Sequence, residues 1–169
     1  MKKEHHYAAT VRWTGNTGTG TNDYKAYERS HTISSKDKPD IAGSSDPILR
    51  GDKTKYNPED LMVSALSACH MLWYLHFCAV NGVVITSYVD NPIGTMAENE
   101  DGSGQFNKII LRPEVVVTDK SMIAKAIEMH EKAHDSCFIA RSVNFEVEIQ
   151  PVVKVEQLNN SVERESLSQ

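Results

Sequence analysis

Asn57-Pro58-Glu59-Asp60-Leu61-Met62-Val63-Ser64-Ala65-Leu66-Ser67-Ala68-Cys69-His70-Met71-Leu72-Trp73-Tyr74-Leu75-His76-Phe77-Cys78-Ala79-Val80 runs without a helix breaker until Asn81-Gly82. Its opening is a helix start. Asn57 can cap, Pro58 suits the first helical position, and Glu59 and Asp60 sit beside the positive end of the helix dipole. Asn81-Gly82 is a matching stop. The predicted helix spans about 23 residues, or roughly 35 Å at 1.5 Å per residue. Leu61, Met62, Val63, Leu66, Met71, Leu72, Trp73, Leu75 and Phe77 fall on every side of it. A helix apolar all round is expected to be buried on most sides, which makes it the central element of the fold.

Upstream, Tyr7 to Trp13 reads as a strand, Gly15-Asn16-Thr17-Gly18-Thr19-Gly20-Thr21 as a turn-rich loop, and Tyr24 to Ile33 as a second strand that makes a hairpin with the first. The loop lacks the Lys-Ser/Thr ending and apolar helix start of a phosphate loop. Ser34 to Tyr56 is polar and broken by Pro39, Gly43, Pro47 and Gly51, and predicts an irregular connection with a short strand. Downstream, Val83 to Val89, Ile93 to Glu98 and Phe106 to Val117 are strand-like, with Asp101-Gly102-Ser103-Gly104 as a turn. Ser121 is expected to cap a second, amphipathic helix whose apolar set is Met122, Ile123, Ala126, Ile127, Met129 and Ala133. Phe145 to Ile149 alternates and predicts a last strand. This order is that of an α+β fold with an antiparallel sheet. One domain over 1–154 and a polar tail over 155–169 are expected.

With 169 residues the chain is long enough for a true core, and 40% hydrophobic with 24% charged residues is ordinary for a globular protein. Eighteen Lys and Arg against 23 Asp and Glu give a net charge of −5, with no basic stripe, so no nucleic-acid partner is expected. The apolar helix carries His70, His76 and several Ser and follows two carboxylates, so no membrane partner is expected either. Met1-Lys2-Lys3-Glu4-His5-His6 lacks the apolar stretch of a secretory signal. Three Cys disfavour a disulfide framework and point to a reducing compartment. A cytoplasmic location is the resulting expectation.

The cysteines are the first candidates for chemistry. Cys69 lies within the apolar helix, where a lone Cys is most simply a small core hydrophobe. Cys137, just beyond the second helix and beside Asp135 and Ser136, opens a second reading, a metal site or a redox pair. Cys78 is nine residues from Cys69, about 180° around the helix, and is assigned to the core. His130, His134 and Cys137 are spaced four and three apart, and with Cys69 or His70 they would complete a four-ligand zinc set. No Cys-x-x-Cys pair supports that set.

Asn57-Pro58-Glu59-Asp60-Leu61, Ala65-Leu66-Ser67-Ala68-Cys69-His70-Met71 and Ala133-His134-Asp135-Ser136-Cys137 together resemble the OsmC/Ohr family of osmotically induced and organic-hydroperoxide-resistance proteins. The resemblance covers about residues 7 to 151. The Gly-Asn-Thr-Gly-Thr-Gly-Thr loop and Ser142-Val143-Asn144-Phe145 add to it. It implies antiparallel sheets wrapped around long central helices in an intertwined homodimer. It also implies a cofactor-free thiol peroxidase acting on organic hydroperoxides, with an external dithiol reductant, for which lipoyl-bearing proteins are typical of the family. By the same resemblance Cys69 matches the peroxide-attacking cysteine, Cys137 the resolving one, and Glu59 the carboxylate that holds an active-site Arg. Arg50, nine residues before Glu59, fits that arginine, with Arg29 in reserve. The residue after the second Cys is often Pro in the family and is Phe138 here.

The physics of such a site is demanding. Peroxide cleavage requires a thiolate, and burial in apolar surroundings raises a thiol's pKa. An arginine offsets this because it stays charged and its planar fork can grip a carboxylate while presenting N–H groups to sulfur. Glu59 and Cys69 are roughly 15 Å apart along the helix, so only a long Arg side chain can link them. Met71, Leu72, Trp73 and Tyr74 are candidates for an apolar pocket wall. A metal- or ligand-binding module without turnover, and a redox sensor, are the other function classes compatible with these residues.

Overall fold

The computed structural model describes residues 3–156. The chain divides into two compact units, Met1–Met62 and Val63–Gln169, with the boundary inside the long helix. The first unit holds a three-stranded antiparallel sheet of β1 (Thr10–Trp13), β2 (His31–Ser34) and β3 (Ile41–Gly43), in that order. The expected hairpin is present, but its strands are shorter than their sequence runs. From Asn16 to Arg29 the chain folds on itself in turns with a single bridge between Asn16 and Tyr27. That loop is stitched by polar contacts: Trp13 Nε1 donates to Glu28 O at 2.8 Å, and the Asn16 carboxamide oxygen accepts from Gly18 and Gly20 N–H at 2.9 and 3.1 Å. The expected short strand within Ser34–Tyr56 is β3.

Helix α1 (Pro58–Val80) has the predicted limits. The Asn57 carboxamide oxygen accepts from Asp60 N–H at 2.7 Å, and the Asp60 carboxylate accepts from Asn57 N–H at 3.2 Å, a reciprocal cap. At the other end Gly82 adopts φ +72°, and Val83 N–H reaches back to Cys78 O at 2.9 Å. By length and composition alone α1 could cross a membrane; here its buried Leu66, Tyr74 and Cys78 belong to the two core clusters of the fold.

The second unit adds β4 (Ile85–Asp90), β5 (Ile93–Glu98), β6 (Gly104–Leu111), β7 (Pro113–Val117), α2 (Ile123–Ser136), β8 (Glu146–Ile149) and β9 (Val152–Val155). They form two three-stranded sheets, β4-β7-β9 and β5-β6-β8. Both are mixed rather than purely antiparallel: β4 and β5 run antiparallel to β7 and β6, whereas β8 and β9 run parallel to β6 and β7. The run Phe106–Val117, expected as one strand, is two. It breaks at Arg112, in line with breaks at Asn91-Pro92 and Gln150-Pro151, so three strand pairs turn a shared corner. Proline at two of these breaks removes a ladder donor where none is needed. β9 lies beyond Pro151, where no strand was expected; Val155, placed at the start of the tail, is its last residue and pairs with Val117. The tail from 157 lies outside the described residues.

Asp90 secures this corner. One carboxylate oxygen accepts Arg112 N–H at 2.7 Å and the other the Ser67 hydroxyl at 2.6 Å, so the corner also holds α1 two residues before Cys69. Strand β5 comes close to α1 as well: a Cβ at Gly94 would stand 2.9 Å from Val63 Cγ2 and 2.7 Å from Phe106 Cε1. The second helix starts differently from expectation. Asp119, not Ser121, is the capping residue; its carboxylate accepts Ser121 N–H at 2.7 Å and leads into a short 3-10 turn over Lys120–Met122 before α2 proper.

α1 is not buried on most sides. Only Leu66, His70, Tyr74 and Cys78 are fully covered, one stripe at four-residue spacing. Met62, Ala65, Ala68, Leu72 and Ala79, on another face, are exposed, Leu72 by 63%. The apolar excess of the helix therefore exceeds what a single chain covers.

Removing the Asp90 carboxylate strands both donors that it serves. Asp90→Ala is expected to destabilise the fold by about 1–3 kcal/mol, read as a lower urea midpoint with an unchanged slope, and Ser67→Ala by less.

Candidate functional site

The buried stripe of α1 faces α2. Tyr74 and Cys78 join Met129 and Ala133 of α2 and Val115 and Val117 of β7 in one apolar cluster, while Leu66 packs with Ile109 and Leu111 in another. Two imidazoles lie in this region. His70 and His130 are 1% and 2% exposed, their rings are parallel with centroids 5.3 Å apart, and a 3.0 Å hydrogen bond joins His70 Nε2 to His130 Nδ1. Tyr74 stacks on His130 with centroids 3.9 Å apart. Among the described residues, the outer nitrogens, His70 Nδ1 and His130 Nε2, have no hydrogen-bond partner. Burial, reinforced by the neighbouring His134, lowers the His70 pKa to about 4; burial, reinforced by His70, lowers that of His130 to about 3. The pair is neutral at physiological pH. The Tyr74 and Tyr88 hydroxyls, likewise buried, are pushed well above the usual phenol range.

Helix α2 ends at Ser136, and Cys137 follows in extended conformation, its N–H donating to His134 O at 3.2 Å. This turn brings the Cys137 thiol near that of Cys69. Both are free thiols; Cys69 is half-buried and Cys137 1% exposed. Burial and the adjoining Cys69 thiol raise the Cys137 pKa to about 11, partly offset by Ala140 N–H, which donates to Cys137 Sγ at 3.4 Å. Cys137 is therefore protonated at neutral pH, and the more accessible Cys69 is the member of the pair that a reagent in solution meets first. Cys78 belongs to the core cluster, as assigned from its position on the helix, and burial raises its pKa too.

Arg50 is the left-handed residue (φ +66°) that ends a 3-10 turn over Pro47–Leu49, a turn capped by Asp46, whose carboxylate accepts Ile48 N–H at 2.7 Å. It is exposed, and among the described residues neither Arg50 nor the half-buried Glu59 enters a salt bridge. Arg29 is committed elsewhere. Its guanidinium donates to Tyr27 O and Tyr24 O at 2.7 and 2.9 Å and lies 4.2 and 4.3 Å from the centroids of the same two rings. In the unit that holds the thiols, the arginines among the described residues are also engaged, Arg112 with Asn91 O and Arg141 with Asp135 O. His130, His134 and Cys137 do not converge: among the described residues no three His, Cys, Asp or Glu side chains are arranged to hold a metal ion. His130 turns inward to His70 instead.

Comparison with known proteins places this fold. A family profile described as OsmC-like protein matches residues 51–152. The chain belongs to the OsmC-like family. An OsmC-like protein of unknown function from Vibrio cholerae superposes with a TM-score of 0.80 at 32% identity, over 88% of this chain and all of that one. The uncharacterized protein YmaD of Bacillus subtilis is 25% identical over 150 residues, 87% of this chain and 92% of YmaD. An organic hydroperoxide resistance protein from Elizabethkingia anophelis shares the fold with a TM-score of 0.66 at 17% identity, over 92% of this chain and all of that one.

Among the four candidate wall residues, Trp73 lies on the Cys69 side, packed edge-on against Phe138 with centroids 5.7 Å apart. Tyr74 is core and Leu72 is on the exposed face. The imidazole pair was not legible in sequence as a pair. The one available signal was that His70 falls four residues from both Leu66 and Tyr74, on the stripe that packing buries.

The imidazoles make stability pH-dependent with a definite sign. Below pH 6.5 the unfolded chain takes up protons that the folded chain refuses until about pH 4 and 3 at His70 and His130. The imidazole contribution to stability therefore falls as the pH drops from 7 toward 4 and is flat above 7. Thermal melts between pH 4.5 and 8 are expected to show this slope, and His130→Phe, which keeps a ring on Tyr74, is expected to reduce it by roughly half. A melting temperature independent of pH over this range would refute the assignment.

Proposed function

We propose that this protein is a thiol peroxidase that reduces organic hydroperoxides to alcohols. The observation that carries the reading is that Cys69 lies near enough to Cys137 to help raise its pKa, although the two are separated by 68 positions in sequence. Membership of the OsmC-like family, with fold neighbours named for organic hydroperoxide resistance, supports it.

In the proposed cycle the Cys69 thiolate attacks the distal oxygen of R–O–OH. A sulfur–oxygen bond forms, the O–O bond breaks, and its electron pair leaves on RO⁻, which takes a proton and departs as the alcohol. Cys69 is left as sulfenic acid. Cys137 then attacks the Cys69 sulfur, giving a Cys69–Cys137 disulfide and water after its thiol proton combines with the departing hydroxide. An external dithiol returns two electrons and two protons, and a lipoyl-bearing protein fits this chemistry. The pKa of about 11 suits Cys137 to waiting as a protonated thiol until sulfenate appears beside it. Arg50 is proposed as the cation that keeps Cys69 ionised, with Glu59 as the carboxylate that would engage it; Arg29, already occupied by two carbonyls and two rings, is the weaker candidate.

The active form is proposed to be a homodimer, in a cytoplasmic setting. The exposed Met62-Ala65-Ala68-Leu72-Ala79 stripe of α1, and a β1 strand exposed along its whole length, are the surfaces that a second copy would cover.

Cys69→Ser is expected to abolish turnover of cumene hydroperoxide, whereas Cys137→Ser reduces one equivalent and then accumulates sulfinic acid at Cys69, seen by mass spectrometry. Wild-type protein should lose two titratable thiols per equivalent of peroxide; full activity of Cys69→Ser, or a peroxide-treated protein without the Cys69–Cys137 disulfide, removes the reading. Light scattering is expected to give twice the chain mass, and Leu72→Glu to shift it toward the monomer.

A further inference from the structure

Two residues close in sequence to the thiols, and unused by the proposed cycle, are aromatic. Trp73 is one helical turn after Cys69, at i+4, where Cβ atoms stand about 5–6 Å apart on one face. Long helical side chains lean toward the N-terminal end of their helix, which brings the indole over the turn that carries Cys69. Phe138 is the residue after Cys137. Its ring meets the indole at 89° with centroids 5.7 Å apart, and it remains 65% exposed, so it is held at one edge and open on the rest. Phe77 stacks on the indole from the core, with centroids 5.5 Å apart and planes 24° apart, and fixes it. A braced indole and an open phenyl ring thus form a corner next to the sulfur pair. A large apolar side chain in water beside a reactive thiol needs an explanation, and this one is positioned by the turn that positions Cys137.

We infer that the Trp73–Phe138 corner sets substrate preference toward hydroperoxides with an aromatic ring on the carbon that bears the peroxide, Phe138 being the specificity-determining residue. With the distal oxygen at Cys69, the group on that carbon lies against the corner. Aromatic rings gain beyond their buried area from edge-to-face contact, which a saturated ring of the same bulk does not. The inference rests on the peroxidase reading for its reaction, but the binding preference is separable from it.

The test compares cumene hydroperoxide with its cyclohexyl counterpart and with tert-butyl hydroperoxide in wild type, Phe138→Ala and Phe138→Tyr. The expected result is a wild-type preference in kcat/KM for the phenyl over the cyclohexyl compound of about three- to tenfold. Phe138→Ala should lose that preference through KM with little change in kcat, leave tert-butyl hydroperoxide within about twofold, and have its defect repaired in Phe138→Tyr. Equal loss on all three substrates, or an unchanged phenyl-to-cyclohexyl ratio in Phe138→Ala, overturns the inference. A binding arm separates the two readings. In Trp13→Phe protein, where Trp73 is the remaining tryptophan, cumyl alcohol should perturb the emission at lower concentration than its cyclohexyl analogue, and Phe138→Ala should abolish the difference. Phenyl-selective binding without turnover of any hydroperoxide sinks the peroxidase reading and upholds the corner; absence of selective binding overturns the corner even in an active peroxidase.

Discussion

His130 sits in a sandwich, stacked on Tyr74 at 3.9 Å and hydrogen-bonded to His70 at 3.0 Å, and this contact sets the register of α2 on α1. Apolar packing alone tolerates sliding, because one aliphatic contact substitutes for another. A hydrogen bond between two buried rings does not. Each imidazole is too buried to be charged, and each would lose its one partner if the helices slipped by a residue. His70 adjoins Cys69 in sequence, and His130 lies two turns before Cys137. The register that satisfies the imidazoles is therefore the register that brings the two sulfurs near each other, and the thiol pair inherits its geometry from a polar contact of which it is not a part.

The same helix is used on a second face. Its buried stripe, Leu66-His70-Tyr74-Cys78, spends four side chains on the chain's own core, while Met62, Ala65, Ala68, Leu72 and Ala79 remain outside. Small residues dominate the outer stripe. Alanine at 65, 68 and 79 allows another backbone to approach closely, which agrees with the proposed self-association.

Much of this was readable wherever a local rule governed the outcome. The limits of α1 followed from Asn57, Pro58 and Gly82, because capping is decided by the residues at the cap. The α+β class and the first hairpin followed from pattern. Pairing direction did not: period-two alternation is the same in parallel and antiparallel strands, so the parallel seating of β8 and β9 left no trace in sequence. The break at Arg112 was hidden because apolar residues continue on both sides of it, and the expected cap at Ser121 failed because Asp119, two residues earlier, offered a stronger acceptor. At the site, Cys69 and Cys137 were legible as candidates from their residue type and setting, and their separate roles came only from family resemblance, whereas their proximity depends on a meeting of helices that no spacing encodes. The zinc reading of His130, His134 and Cys137 rested on helical spacing, and it gave way because His130 is turned inward by His70.

The three thiols occupy three environments: half-open at Cys69, sealed in hydrocarbon at Cys78, and buried and firmly protonated at Cys137. An alkylating reagent attacks thiolate that it can reach, so the cysteines should label in sequence rather than together, Cys69 in the native protein and Cys78 only as the fold opens. The chain thereby carries its own handle for site-selective conjugation and its own internal clock of unfolding, with no engineered cysteine required for either.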